Sequence, residues 1–460
     1  MDIINGKKYK KCAENQVRNP KTLRCVKLQN TKITTKQPVK EPVKEPVKEP
    51  IKENIENFQK SILFNTQILS NIDDRINYYH SIIDNFEIDP NDKNYCMRVY
   101  KFDKNDNPIF RIGSNIILRN KLNIYSNNGL MYLSYFKDEN KQKYQFATKI
   151  IAVTPELNNE VTILDKLNNL VINRKCPHFL ITYGILYCDK FLNFSDSNFQ
   201  YSSDNDIDKI KKKNNNINTY PDYIYGNKNN TILSILTEIT NGYLKRFIYE
   251  KCNNSKLLLN ALAQIYMSLM FFHYSTNHIH KNSHWGNFLY HKIKQGVYFH
   301  YKIFGKDYYI ENLGYLWIIN DVTLSIENIV NEKYNEISDD YSNILKAFTL
   351  DDNRFLKGWI GFDMFMDFDD NIQSIDQLVF FKEKFRSKLT SKFISTINSI
   401  FIDLFVENDI KETNFTSLSV LYNKYFPIIL SILKDHDMIF DKTNISKDAV
   451  FVNDRPYVIQ

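Results

Sequence analysis

Four places in the chain carry residues able to do chemistry. Lys149 closes the run Phe146-Ala147-Thr148-Lys149, and Glu160 heads a helical pattern through Leu167. A polar block reads His280-Lys281-Asn282-Ser283-His284-Trp285-Gly286-Asn287, and Asp321 follows the apolar stretch Leu316-Trp317-Ile318-Ile319-Asn320. A carboxylate at the end of an apolar strand is seldom idle, so Asp321 is a candidate metal ligand. Asn282 can hold a hydroxyl but cannot take its proton. Zinc is not indicated. Cys12, Cys25, Cys96, Cys176, Cys188 and Cys252 form no C-x-x-C pair, and no His-x-x-x-His spacing has an acid partner. Each residue also has a plain structural reading: His280, Trp285 and Trp317 as core, His273, His278 and His284 as surface or packing residues, and Asn287 as a turn cap.

These side chains need elements to hold them. Residues 115–153 contain β-branched and aromatic runs separated by polar turns, which fits a small antiparallel sheet. Helical spacing follows at Val161, Leu164 and Leu167, and again at Leu258, Leu262, Ile265, Leu269 and Phe272. After residue 340, apolar-periodic segments alternate with polar breaks. The expected architecture is α+β, a strand-rich N-lobe over 57–240 followed by a helical C-lobe over 241–460.

The block from His280 to Asn287 resembles the catalytic loop of protein kinases, His-Arg-Asp-x-x-x-x-Asn. Its His-Trp-Gly-Asn ending is most similar to haspin-like kinases and related kinase-like proteins of large DNA viruses. The resemblance implies a bilobal protein kinase-like fold that uses ATP and Mg²⁺. It assigns Asn282 to the catalytic Asp position, Asn287 and Asp321 to the metal, and Lys149 paired with Glu160 to the nucleotide phosphates. Asp321-Val322-Thr323 stands where ordinary kinases have Asp-Phe-Gly and is closer to the Asp-Tyr-Thr of haspin. In Ser338-Asp339-Asp340-Tyr341-Ser342, Asp339 takes the part of the Asp that braces the catalytic-loop backbone. Cys176-Pro177-His178-Phe179 with Tyr183-Gly184 resembles the turn and strand after the Glu-bearing helix. Ile235 to Gly242 resembles the adenine hinge, which places Glu238, Ile239 and Thr240 at the cofactor. The glycine loop is thin, since Ser126-Asn127-Asn128-Gly129 keeps only Gly129 in a chain with 12 Gly among 460 residues. No Ala-Pro-Glu motif lies between Asp321 and Asp339, so substrate docking does not carry over. The matches run over about 210 residues, from Gly129 to Asp339.

Two low-complexity segments divide the chain. From Pro38 to Glu53 the repeat Pro-Val-Lys-Glu recurs with period four, which excludes helix and sheet and reads as a stiff, solvated linker over 29–56. Residues 193–230, rich in Asn, Ser, Asp and Lys, read as a loop insertion. The net charge of +7 sits in the first 60 residues, which carry a net +8, so the basic character belongs to the N-terminal arm. That arm makes a poor nucleic-acid ligand, because its repeat is charge-balanced and lacks interleaved aromatics. Residues 1–28, from Lys10-Lys11-Cys12 through Val17-Arg18-Asn19-Pro20-Lys21-Thr22 to Arg24-Cys25-Val26, resemble a two-cysteine adaptor module of large-DNA-virus proteins. The implied role is docking to a protein partner of viral origin. Whether Cys12 and Cys25 bridge or stand as separate thiols is open.

The longest apolar candidate, Ala261 to Phe272, is short for a membrane span, and the N-terminus lacks the apolar core of a secretory signal. The expected setting is therefore intracellular and reducing, and the viral resemblance implies the host cytoplasm or a virion. Two activities compete: an ATP-dependent kinase transferring the γ-phosphoryl group to Ser or Thr, and a pseudokinase serving as a nucleotide-binding or scaffolding module.

Overall fold

A computed structural model describes residues 2–4, 7–9, 16–18, 25–27, 68–84, 86, 95–102, 108–121, 130–138, 144–153, 157–188, 232–327, 334–349, 387–407, 417–446 and 449–460. The linker, the 193–230 insertion, Cys12 and Gly129 lie outside them. The chain forms two units, Met1–Glu53 and Asn54–Gln460. In the first, β1 (Asp2–Ile4) pairs with β2 (Lys7–Tyr9) and β3 (Gln16–Arg18) with β4 (Cys25–Lys27), both antiparallel. In the second hairpin Arg18 stands opposite Cys25, and Asn19-Pro20 lies outside the described residues.

The second unit is α+β. Its first described element is α1 (Asp73–Ile83), followed by β5 (Met97–Phe102), β6 (Pro108–Ile112), β7 (Ile116–Lys121), β8 (Leu130–Phe136) and β9 (Gln145–Ala152). Then come α2 (Leu157–Ile172), β10 (Thr182–Cys188) and β11 (Ile232–Thr237). The seven strands make one antiparallel sheet in the order β10-β11-β9-β8-β7-β6-β5. The sheet curls until its two edges meet. Cys96, just before β5, is disulfide-bonded to Cys188 at the end of β10, and Tyr95 N–H donates to Tyr187 O at 3.0 Å. This corrects the expectation of an all-thiol body. Ninety-two positions separate the two cysteines, and only the curl of the sheet brings them together.

The half that follows departs from a purely helical reading. After β12 (Gly242–Tyr243), α3 (Leu244–Lys251) and α4 (Ser255–Thr276) come β13 (His278–Ile279), β14 (Phe288–Lys292), β15 (Tyr298–Ile303), β16 (Lys306–Glu311), β17 (Tyr315–Ile319) and β18 (Ile326–Glu327). Then follow α5 (Tyr334–Thr349), α6 (Ser391–Ile402), a π-helical turn (Asp403–Glu407), α7 (Leu418–Asp435) and β19 (Tyr457–Ile459). The hairpin β15–β16 and the parallel partner β19 form a separate small sheet. Tyr298 to Ile303 alternates buried and half-buried side chains, the period-two signature of a strand.

Helix α4 is the spine of this half. Asn254 caps it by accepting from Leu257 N–H, and Asn277, at φ 57°, ends it in the left-handed conformation that asparagine tolerates. It is the one described helix long and apolar enough to cross a membrane. In this fold Leu258, Leu262, Ile265, Leu269 and Phe272 are instead fully buried in protein. Trp317 and Trp285 also lie in the core, as their type leads one to expect.

Candidate functional site

Lys149 is placed by strand alternation. On β9, Phe146, Thr148 and Ile150 pack inward on one face, so Lys149 projects from the other, opposite Met131 of β8 and Ile235 of β11. Glu160 is placed by helical phase. Ile163, Leu164, Leu167 and Val171 are buried, and three- and four-residue spacing puts Glu160 on that same face of α2. The two elements bring Lys149 Nζ to 3.1 Å from Glu160 Oε1.

The other half of the site is fixed by two ladders. Phe288 of β14 pairs with Ile319 of β17, so Asn287 just before one strand meets Asn320 just after the other, and Asn320 N–H donates to Asn287 O at 2.9 Å. Ile279 of β13 pairs with Ile326 of β18, which closes both loops from the opposite end. Inside this frame Asp321 adopts φ 56° and Lys281 φ 61°, left-handed conformations that non-glycine residues hold only when their surroundings impose them.

The result is one polar cluster. Lys149 Nζ lies 3.0 Å from Asp321 Oδ1 and donates to Thr323 Oγ1 at 3.0 Å. The Thr323 hydroxyl lies 2.6 Å from Asp321 Oδ1 and 3.0 Å from Glu160 Oε2, so its single proton is shared between two carboxylates. Asn282 donates its amide to Asp321 Oδ2 at 3.2 Å, and Asn287 donates its amide to Asn282 O at 3.0 Å. Lys149, Glu160, Asn282, Asn287 and Asp321 therefore converge, and Thr323 joins them. In the sequence Thr323 is only the end of the Asp-Val-Thr motif, which assigns its hydroxyl no role; its partners come from β9 and α2.

Electrostatics hold the cluster charged. Burial alone would lower the Lys149 pKa, but the Asp321 and Glu160 carboxylates outweigh it and keep the ammonium protonated well above its ordinary range. Burial would raise the Asp321 pKa, but Lys149 and the Thr323 hydroxyl hold it well below the usual carboxylate range. Asp321 offers carboxylate oxygens, and Asn287, its nitrogen spent on Asn282, can offer Oδ1. One carboxylate and one amide are enough protein ligands for Mg²⁺, which keeps several waters or takes substrate oxygens for the rest. No group of three or more acidic, His or Cys ligands exists among the described residues.

The brace of the loop is Asp340, not Asp339. Asp340 is fully buried and accepts from His280 N–H at 2.8 Å, Lys281 N–H at 3.0 Å, Ser283 Oγ and His273 Nε2 at 2.9 Å. Asp339 is exposed on α5. The acids are adjacent, and the one-residue turn of a helix, about 100°, decides which faces inward. His280 is fully buried, with Nε2 3.2 Å from Asn320 O, which ties the two loops together.

The segment expected to meet the cofactor is partly committed within the protein. The Glu238 carboxylate is buried and accepts from Arg75, His291 and Ile181 N–H, while its own N–H donates to Ile181 O at 3.0 Å. Its side chain is therefore not offered to a ligand. Ile239 and Thr240 follow it, half-buried. Gly242 is required by a close approach, because a Cβ there would meet Tyr290 Oη at 2.6 Å. No protein-family model matches the chain, and no curated protein matches it.

Proposed function

We propose that the chain is an ATP-dependent protein kinase with the bilobal kinase-like fold, similar to the haspin-like viral type, transferring the γ-phosphoryl group to Ser or Thr. The observation that carries this reading is the convergence of Lys149, Glu160 and Asp321, from a strand, a helix and a strand end, within 3.1 Å of one ammonium. Lys149 would meet the nucleotide phosphates, held in place by Glu160. Asp321 and Asn287 would hold Mg²⁺, which when bound neutralises charge on the phosphates. Ile239 and Thr240 would present backbone groups to adenine. Residues 1–28 would dock a protein partner, with membrane and nucleic acid outside the reading.

A second reading, a pseudokinase, has its own observation. Asn282 stands at the base position but turns its amide onto Asp321 Oδ2 at 3.2 Å, acting as a donor to the metal-ligand carboxylate. Asn282→Asp separates the two. General-base assistance contributes typically 10²- to 10⁴-fold. The variant should therefore transfer phosphate at least tenfold faster to a generic basic protein than the wild type does. It should also be less stable without metal, since a second carboxylate would face Asp321. Equal inactivity of both forms, with MgATP still bound, would make the pseudokinase reading the better one.

A further inference from the structure

Outside the cluster, Arg75 in the first turn of α1 is buried and makes four hydrogen bonds. We propose that residues 69–83 are a strap that joins the two halves of the second unit, with Arg75 positioning the segment 238–241. The strap begins on the helix-rich side. Leu69 N–H donates to Lys292 O at 2.9 Å and Leu69 O accepts from Lys294 N–H at 2.7 Å, a parallel bridge onto the chain just past β14. Six residues on, Arg75 is buried. Its Nη1 donates to Pro177 O at 2.6 Å, its Nη2 to Phe179 O at 2.7 Å, and its Nε and Nη2 fork onto the Glu238 carboxylate at 3.0 and 2.5 Å. One turn later, Tyr78 Oη donates to Gln145 O at 2.9 Å and accepts from Gln145 N–H at 2.8 Å, four residues before Lys149. A single short stretch thus grips β14, the 177–179 turn, the 238 segment and the strand of Lys149.

Glu238 is the point where these meet. Its two oxygens take Arg75 twice, Ile181 N–H at 2.8 Å and His291 Nε2 at 2.9 Å, His291 coming from β14. A carboxylate with four donors around it has one available position, and the backbone that carries it shares that constraint. The adjoining backbone is anchored as well, by Glu238 N–H to Ile181 O and Asn241 N–H to Tyr290 O at 2.9 Å. Only arginine can make this fork, since lysine offers a point charge without the planar pair of donors.

The test is amide hydrogen exchange of the full chain, comparing wild type with Arg75→Lys and with the double variant Arg75→Met/Glu238→Gln. The double variant removes both charges together, so no unpaired ion stays buried. The peptide covering 236–242 should exchange at least tenfold faster in both variants, while a peptide within α4 keeps its wild-type rate. Arg174→Met, which removes the exposed ion pair between Arg174, just past α2, and Asp73 of the Arg75 helix, should change neither. Unchanged exchange at 236–242, or equal acceleration there and in α4, would overturn the positioning role and leave Arg75 as core filling. The consequence for nucleotide rests on the reading proposed above: MgADP should bind the double variant at least tenfold more weakly. Wild-type affinity alongside accelerated exchange would overturn that consequence. Absence of binding by the wild type would instead overturn the nucleotide reading, with the exchange data still deciding the strap.

Discussion

Asp340→Ala is expected to destabilise the protein by about 3–5 kcal/mol, whereas Asp339→Ala next to it should stay within about 0.5 kcal/mol. The buried carboxylate of Asp340 satisfies two backbone N–H groups, at His280 and Lys281, and two side chains, Ser283 and His273. Its removal strands four donors, three of them on buried residues, and a stranded buried donor costs its full desolvation penalty. His273 also lies against Tyr341, whose ring centroid is 5.5 Å away, so the loss extends into the α4–α5 packing. Asp339 is exposed and has no comparable task. Denaturant unfolding of the two variants measures the contrast. Equal effects would show that the loop does not depend on Asp340.

The second large effect concerns the closed sheet. Cys96→Ser with Cys188→Ser should lower stability by on the order of 4–5 kcal/mol, the chain-entropy value for a loop of 92 residues, in a model whose mechanism is debated. The bond joins the two edges of the sheet, where Tyr95 N–H also donates to Tyr187 O. Unfolding of the double variant, beside wild type with and without a thiol reductant, measures the effect. Wild-type stability that does not respond to reductant, in protein whose thiols are shown to be freed, would contradict it.

The local signals were legible in the sequence because each rests on near neighbours. Strand alternation turns Lys149 toward the site, and the three- and four-residue spacing of α2 turns Glu160 to meet it. The fixed interval from Asn282 to Asn287, with the apolar run before Asp321, marks the two loops that β14 and β17 bring together. What the sequence hid depends on the chain returning to itself. Arg75 and Glu238 are 163 positions apart, and nothing local marks either as the other's partner. Cys96 and Cys188 looked like scattered thiols until the sheet curled. Asp339 and Asp340 differ only in helical phase, which a motif does not resolve at adjacent positions. The strands β15 and β16 fell inside a stretch, 241–460, whose helical reading rested on the spacing of Leu258 to Phe272 and on the segments after residue 340.

The central claim is that Lys149 and Asp321 form a nucleotide and metal site. Calorimetric titration of MgATP into the full-length chain tests it most directly, run beside Lys149→Ala and Asp321→Asn with each variant's melting recorded without nucleotide. The account predicts Mg²⁺-dependent binding to the wild type and at least a tenfold loss of affinity in both variants while they remain folded. No binding by the wild type, or wild-type affinity in both variants, would contradict it.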